Sequence, residues 1–366
     1  MGGAAMGGAA MAGDAAPAGP RGCAGPLTGA YDVALLDLDG VVYIGPAAVP
    51  GAPETLAQAT GAGMRVAFVT NNAARTPSAI AAQLAGLGVP ASASDVVTSA
   101  QAGARLLAER LPQAAPVLVV GGMGLRWAVR ERGLRPVSVA SDRPAAVIQG
   151  YSPDISYSLL TEGALAVQAG ALFVVSNADR TLPTARGRQP GNGAMSRVIA
   201  TATGQEPLVA GKPEPPLHAE AVARTGARRP LVVGDRLDTD IEGAVRAGAD
   251  SLLVLTGVTR PLDAVLAPPH QRPSYLARDL SGLLSPHPPV TRAGAGFACG
   301  GWHAGWPASG QHGPGQHGSG QHEPGRLALD GDGDPMDGLR AGCAAAWSVG
   351  GVTAEAVAPA LHRLGW

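Results

Sequence analysis

The chain has 366 residues, with 46% apolar side chains but only 4% aromatic ones. It exceeds one typical domain and can bury a core, which must be built mainly from Ala, Val and Leu. Its 27 basic and 28 acidic residues nearly cancel, leaving no electrostatic footprint for nucleic acid or an anionic membrane. No stretch approaches the ~18 consecutive apolar residues of a membrane span, and the N-terminus lacks a basic region ahead of an apolar one. Three scattered cysteines, Cys23, Cys299 and Cys343, fit a reducing cytoplasm better than a disulfide framework.

Residues 1–28 are rich in Ala, Gly and Pro and are expected to be a disordered extension. The run Val33-Ala-Leu-Leu then reads as a buried strand of a parallel sheet, ending in Asp37-Leu-Asp39-Gly40. In an extended chain two carboxylates two residues apart lie on one side, and Gly40 permits a sharp departure. Parallel sheets bind ligands at the carboxyl ends of their strands, although such a string alone also suits a solvated acidic turn. A helix over 53–62 and a strand over 65–70, ending in Thr70-Asn71-Asn72, follow. Thr76 and Pro77 then start a helix to about residue 87 as N-cap and first helical residue. A strand over 95–99 and a helix to residue 111 complete an alternation that marks a doubly wound α/β domain.

The rhythm restarts near residue 115, with strands over 116–120, 145–150 and 172–176 and a helix over 159–169. Residues 91–207 therefore read as a second, inserted α/β domain within a core made of 29–90 and 208–284. The Gly121 to Gly124 turn lacks the glycine spacing and acidic partner of a dinucleotide loop and reads as a tight strand-to-helix turn. In the resumed core, Val209-Ala-Gly-Lys212-Pro213 is a short strand and loop. Pro230-Leu-Val-Val-Gly234 leads to Asp235, Thr239 with Glu242 has capping-box spacing for a helix over 240–247, and 250–256 gives the last strand.

Residues 285–326, rich in Gly, Pro and His with His312, His317 and His322 at five-residue spacing, read as a flexible linker. The His repeat has no fixed partner ligands for a metal. Residues 327–366 read as a helical segment: helices over 336–347 and 353–364, the second with Ala354, Val357, Leu361 and Leu364 along one stripe. Asp330-Gly-Asp332-Gly-Asp334 imitates a calcium loop but has Pro335 and Ala341 where that loop needs glycine and glutamate. Four of the five tryptophans lie after residue 300, which suits docking on a partner surface.

Lys212 is the only lysine. All other basic side chains are arginine, so this compact ammonium either does something a guanidinium cannot or is a chance survivor of codon bias, since the two differ little on exposed surface. Asp37 with Asp39, Thr70 with Asn71, Lys212, and Asp235 with Asp240 all fall at strand ends of one sheet. An unpaired acid at a buried strand end is costly without a metal or a cation. Asp238 and Asp240 also suit a helix N-terminus, and Asn71 and Asn72 suit a turn.

These four strings, in this order, resemble the haloacid dehalogenase-like hydrolases over residues 30–284, in particular the nitrophenyl-phosphatase and phosphoglycolate-phosphatase branch with its large α/β cap. The resemblance implies a Rossmann-like parallel-sheet core with an inserted α/β cap, and a Mg²⁺-dependent phosphatase of small phosphorylated metabolites. It implies Asp37 as nucleophile forming an aspartyl-phosphate and Asp39 as general acid and base. Thr70 and Lys212 would stabilise the transferring phosphoryl group. Mg²⁺ would be held by Asp37, Asp235 and the Asp39 carbonyl, with Asp240 orienting a bound water. Asn71 and Asn72 in the core, and Asp179 and Arg180 in the cap, would contact substrate, and self-association through the cap is a further expectation. The alternatives are phosphoryl transfer to another alcohol and a non-catalytic phospho-ligand sensor or scaffold.

Overall fold

A computed structural model of the chain describes residues 19–184, 186–307 and 325–366. Its frame is a six-stranded parallel sheet in the order Tyr275–Ala277, Asp250–Val254, Pro230–Gly234, Val33–Leu36, Arg65–Thr70, Val96–Thr98. Helices cover both faces, so the central strands are apolar throughout rather than alternating; all four residues of Val33–Leu36 are buried. On one face Leu56, Ile80 and Leu84, from the helices Ala52–Gly61 and Pro77–Gly86, join one core with Leu36, Phe68 and Leu252. On the other, Leu217, Ala221 and Ala244, from Pro215–Thr225 and Glu242–Ala247, join Leu35, Val69 and Val232. This is the expected doubly wound core. Thr76 caps its helix as expected, accepting from the Ala79 N–H at 3.3 Å.

A second parallel sheet of five strands runs Leu208–Val209, Leu172–Val175, Ala146–Gln149, Pro116–Val120, Arg135–Val137. Its helices are Ser99–Ala108 and Met123–Glu131 on one side and Tyr157–Gln168 and Asn192–Thr203 on the other. The boundaries differ from the expected 91–207. Val96–Thr98 pairs with Arg65–Thr70 at the edge of the core sheet, where all three of its residues are buried. Leu208–Val209, expected in the core, instead extends the cap sheet beside Leu172–Val175. Cap and core are tied by Glu220, buried on a core helix, which pairs with Arg224, with Arg105 at 3.4 Å, and with Arg132 at the end of a cap helix.

Three further expectations are corrected. Residues 285–326 are not a linker throughout. Thr291–Ala293, Gly296–Cys299 and Trp302–Gly305 form an antiparallel sheet with Ala328–Gly331, backed by the helices Pro335–Trp347 and Ala354–Arg363. The glycines that suggested flexibility make the hairpin turns, Gly294 and Gly300 at φ of 57° and 54°. Phe297, Cys299, Trp302 and Ala304 are buried as alternating inward positions. The His repeat lies outside the described residues. Within the expected extension, the described residues 19–28 are packed on the core: Cys23 and His287 exchange backbone hydrogen bonds of 2.8 and 2.9 Å, and Leu27 is fully buried. The sheet also does not end at 250–256, because Tyr275–Ala277 adds an edge strand. Among the described residues no helix is long and apolar enough to cross a membrane.

Candidate active site

The carboxyl ends of the two central strands deliver the acids. Asp37 follows Val33–Leu36 and Asp235 follows Pro230–Gly234, held side by side because the two strands pair in register. The Asp37 N–H donates to the Val233 carbonyl at 2.8 Å. One carboxylate oxygen each from Asp37, Asp235 and Asp240 lie within 4.8 Å of one another. Lys212 is 4% exposed, and its Nζ lies 2.6 Å from both Asp37 Oδ1 and Asp240 Oδ1. It also donates to the Val69 carbonyl at 3.2 Å. Two of the ammonium's three donors are thus hydrogen-bonded, to Asp37 and the Val69 carbonyl, and Asp240 adds a close ion pair.

Two backbone loops press on Asp235. A Cβ on Gly40 would stand 2.6 Å from Asp235 Oδ2, and one on Gly257 only 1.9 Å away, so neither position has room for a side chain. The Val258 N–H donates to Asp235 Oδ2 at 2.6 Å, and the Thr259 N–H to the Asp235 carbonyl at 3.1 Å. Asp235 Oδ1 is buried with no hydrogen-bond partner among the described residues. A buried carboxylate oxygen without a donor is unfavourable unless a cation meets it.

The charge balance agrees. Three carboxylates surround one ammonium. Burial pushes the Asp37 carboxyl well above the usual range; the Lys212 ammonium opposes this, and the Asp240 and Asp235 anions add to it. Burial, reinforced by the Asp240 anion, raises Asp235 to about 6 against the pull of the Val258 N–H. Burial works against the Lys212 charge, but Asp240 and Asp37 outweigh it and hold the ammonium protonated. The surplus is negative charge on hard oxygen donors, the ligand set that suits a divalent ion such as Mg²⁺.

The other expected residues fall into place unevenly. Asp39 lies outside the three converging carboxylates, solvent-accessible but partly desolvated by the surrounding chain. Burial raises its carboxyl, with Lys212 and Arg75 opposing. Thr70 is buried and its Oγ1 accepts from the Asn72 N–H at 3.1 Å, which leaves its own proton to donate. Asn71 ties the cap to the core. Its Oδ1 accepts from the Lys212 N–H at 2.8 Å, its Nδ2 donates to Asp179 Oδ2 at 3.2 Å, and its carbonyl accepts from Asn177 at 2.8 Å. Asp179 is thus the cap carboxylate that reaches the core site.

Of the remaining expected contacts, Asn72 shapes a turn and Arg180 is exposed on the cap. Asn72 Oδ1 accepts from the Ala74 and Arg75 N–H groups at 3.0 and 3.3 Å, shaping the turn after the strand. Arg180 is exposed at the foot of the Thr181–Thr184 hairpin, its carbonyl engaged by the Gly191 N–H. The capping box expected from Thr239 and Glu242 does not form. Residues Leu237–Ile241 make a wide turn and Ile241 precedes the helix Glu242–Ala247 without a side-chain cap. Asp240 is drawn instead to Lys212, and its Oδ2 accepts from the Arg236 N–H at 3.1 Å; Asp238 is held by Arg236 at 2.8 Å. The loop 256–259 escaped sequence reading because it acts through backbone N–H groups. Its one signal was Gly257 just beyond a strand end.

With this geometry established, the relatives decide the family. Residues 34–135 match the model of the haloacid dehalogenase-like hydrolases and residues 209–283 a second model described as HAD-hydrolase-like. The D-glycerol 3-phosphate phosphatase of Mycobacterium tuberculosis is 53% identical over 253 residues, which are 69% of this chain and 71% of that protein. The chain belongs to the haloacid dehalogenase-like hydrolases. Its relatives are phosphatases, and the enzyme class expected from the motifs stands. A crystal structure of the glycerol phosphate phosphatase from M. tuberculosis in complex with magnesium superposes with a TM-score of 0.79 at 42% identity, over 93% of this chain and 99% of that one. The p-nitrophenyl phosphatase of Archaeoglobus fulgidus gives 0.65 at 28% identity, over 69% of this chain and 98% of that one. Residues 321–366 match a model of a GCN5-related N-acetyltransferase-like domain.

Proposed function

We propose that the chain is a Mg²⁺-dependent phosphatase of small phosphate monoesters acting through an aspartyl-phosphate on Asp37. The observation that carries this reading is the convergence of Asp37, Asp235 and Asp240 on one buried point, with Lys212 between two of them. The orphaned Asp235 Oδ1 fits a cation there. Asp37, Asp235 and the Asp39 carbonyl would hold Mg²⁺ with Asp240 alongside, and the ion would offset the charge of the incoming phosphate.

The protein's own groups then divide the work. Asp37 attacks phosphorus in line, forming its Oδ–P bond as the P–O bond to the leaving alcohol breaks. Lys212 fixes the nucleophile. Its charge, beside the nucleophile, also stabilises the phosphoryl oxygens. The Thr70 hydroxyl donates to a phosphoryl oxygen as charge redistributes. Asp39, its pKa raised, gives a proton to the departing alkoxide. It then takes one from the water that attacks phosphorus, which breaks the Oδ–P bond and restores Asp37. Asp179, beside Asn71, faces the leaving group from the cap, and cap contact excludes bulk water.

The test is phosphate release from a panel of phosphorylated polyols, sugars, nucleosides and phosphoglycolate, with Mg²⁺ and with chelator. Mass spectrometry of rapidly quenched enzyme reads the intermediate. The reading expects metal-dependent release and a phosphoryl adduct on the peptide bearing Asp37. Release that is unchanged by chelator, or an adduct elsewhere, sinks it.

A further inference from the structure

The described residues of the C-terminal module, from 291–305 and 325–366, share one core with the two segments that shape the metal-facing acids. Ile241, which follows Asp240, is fully buried in a cluster that also holds Leu253, Ala264, Val265 and Leu276 of the core and Trp302, Leu339 and Trp347 of the C-terminal module. Leu237, at the other end of the same turn, packs against it. The Leu237–Ile241 turn thus carries Asp240 at the site and buries Ile241 in the core that the module shares.

The second segment runs from Thr256. The Thr256 hydroxyl donates to the Gly40 carbonyl at 2.5 Å, and the next three residues bring Gly257 against Asp235 and supply the two N–H groups that Asp235 accepts. After Arg260 the chain enters the helix Pro261–Val265. The module's longest helix, Pro335–Trp347, closes on that helix. Trp347 Nε1 donates to the Ala264 carbonyl at 3.2 Å, and Arg272 lies 5.3 Å over the Trp347 ring. Arg340, paired with Asp337, donates to the Leu276 carbonyl at 2.7 Å on the edge strand. Protein interiors transmit strain because they are close-packed, so a shift of this helix moves the 256–260 loop.

We propose that the C-terminal module is a clamp on the Asp235 and Asp240 loops, with Trp347 as a positioning residue that sets their affinity for the divalent ion. The inference rests on the proposed metal site. Partners that orient metal ligands from outside are worth ~10- to 100-fold in affinity, and here the orienting groups are the backbone N–H donors of Val258 and Thr259, placed by the helix that Trp347 holds. Trp347→Phe removes the indole donor and keeps an aromatic ring for Arg272; Trp347→Ala removes both.

The experiment is calorimetric titration of the full chain with Mg²⁺ in the absence of substrate, alongside melting curves. The comparison variant is Leu84→Ala, which opens a cavity under the opposite face of the sheet, in a cluster shared with Leu36 and Phe68. The proposal expects Trp347→Phe to weaken Mg²⁺ binding about tenfold and Trp347→Ala more, with Leu84→Ala unchanged even where its melting temperature falls further. A dissociation constant for Trp347→Phe within twofold of the unmodified chain overturns the clamp. So does Leu84→Ala weakening binding as much, since the effect would then be general loosening. If the unmodified chain binds no Mg²⁺, the metal-dependent phosphatase reading fails first.

Discussion

The strand-end site and the C-terminal module are built in opposite ways. In the site, Asp37, Thr70, Lys212 and Asp235 come from segments up to 198 residues apart, separated by a whole inserted domain, and meet because parallel strands end together. In the module, neighbours in sequence are neighbours in space: adjacent antiparallel strands and two successive helices wrap one another. The site is polar, charged beyond balance and unsatisfied at Asp235 Oδ1. The module is mostly apolar, with helix Pro335–Trp347 buried along almost its whole length and its Arg340 charge paired with Asp337. The first arrangement leaves unsatisfied charge where a ligand can use it, and the second converts burial into rigidity. A protein needing both can place the second behind the first.

The largest effects should fall on the polar side of that contrast. Asp37→Asn removes the nucleophile while keeping its shape, and phosphate release should fall by about 10³-fold or more. The melting temperature should stay or rise, since one of three crowded carboxylates is gone. Retained turnover would dissolve the distinction between the two regions. On the apolar side the largest change is Arg340→Met. It leaves Asp337 buried without its cation and the Leu276 carbonyl without a donor, a loss of ~3–5 kcal/mol of stability. Denaturant melts should show that loss while turnover in excess Mg²⁺ changes only a few-fold. A large loss of turnover in excess metal would show the two regions acting as one.

The contrast also explains what could be read before the fold was seen. Each functional string carries its own local signal: an apolar run, a strand end, then an acid or a lysine. The order and spacing of four such strings specify the family. The sheet of residues 291–305 carries no such string. Its strands are three and four residues long, and their turns use the same Gly residues that make the neighbouring sequence look unstructured. Asp240 was legible as an acid near the site, but the ion pair with Lys212 that displaces its capping role depends on two segments 28 residues apart folding back together. The Val258 and Thr259 donors were illegible, because any residue but proline offers the same N–H.

His218 lies behind the site and gives an effect of intermediate size. It is buried on the helix that follows Lys212, its ring against Gly243, and neither ring nitrogen has a partner among the described residues. Burial, helped by the Lys212 charge, lowers its pKa from 6.5 to about 3. The folded state therefore holds the ring neutral while the unfolded chain takes up a proton below pH 6.5. This contribution to stability is complete above pH 6.5, declines as pH falls, and is lost as pH approaches 3, at about 1.4 kcal/mol for each pH unit. His218→Leu should be near neutral at pH 7.5 and should flatten the loss of stability between pH 6 and 4. Parallel slopes for the two proteins would mean the ring protonates freely in the fold.

The smallest effect sharpens the boundary of the site itself. Asn72 lies two residues from Thr70 and was expected to touch substrate, yet its side-chain oxygen is already shared by two backbone N–H groups. An acceptor used in that way shapes a turn, and losing it costs about 1 kcal/mol. Asn72→Ala should lower stability by roughly that amount and leave KM for small phosphate esters within twofold. Asn71→Ala should behave differently. Asn71 links the Lys212 backbone, Asp179 of the cap and Asn177 at once, so its loss should lower kcat and raise KM together as cap and nucleophile lose their common anchor. If instead Asn72→Ala raised KM with kcat unchanged, it would be a binding contact, and the polar site would extend one turn further along the chain than its hydrogen bonds indicate.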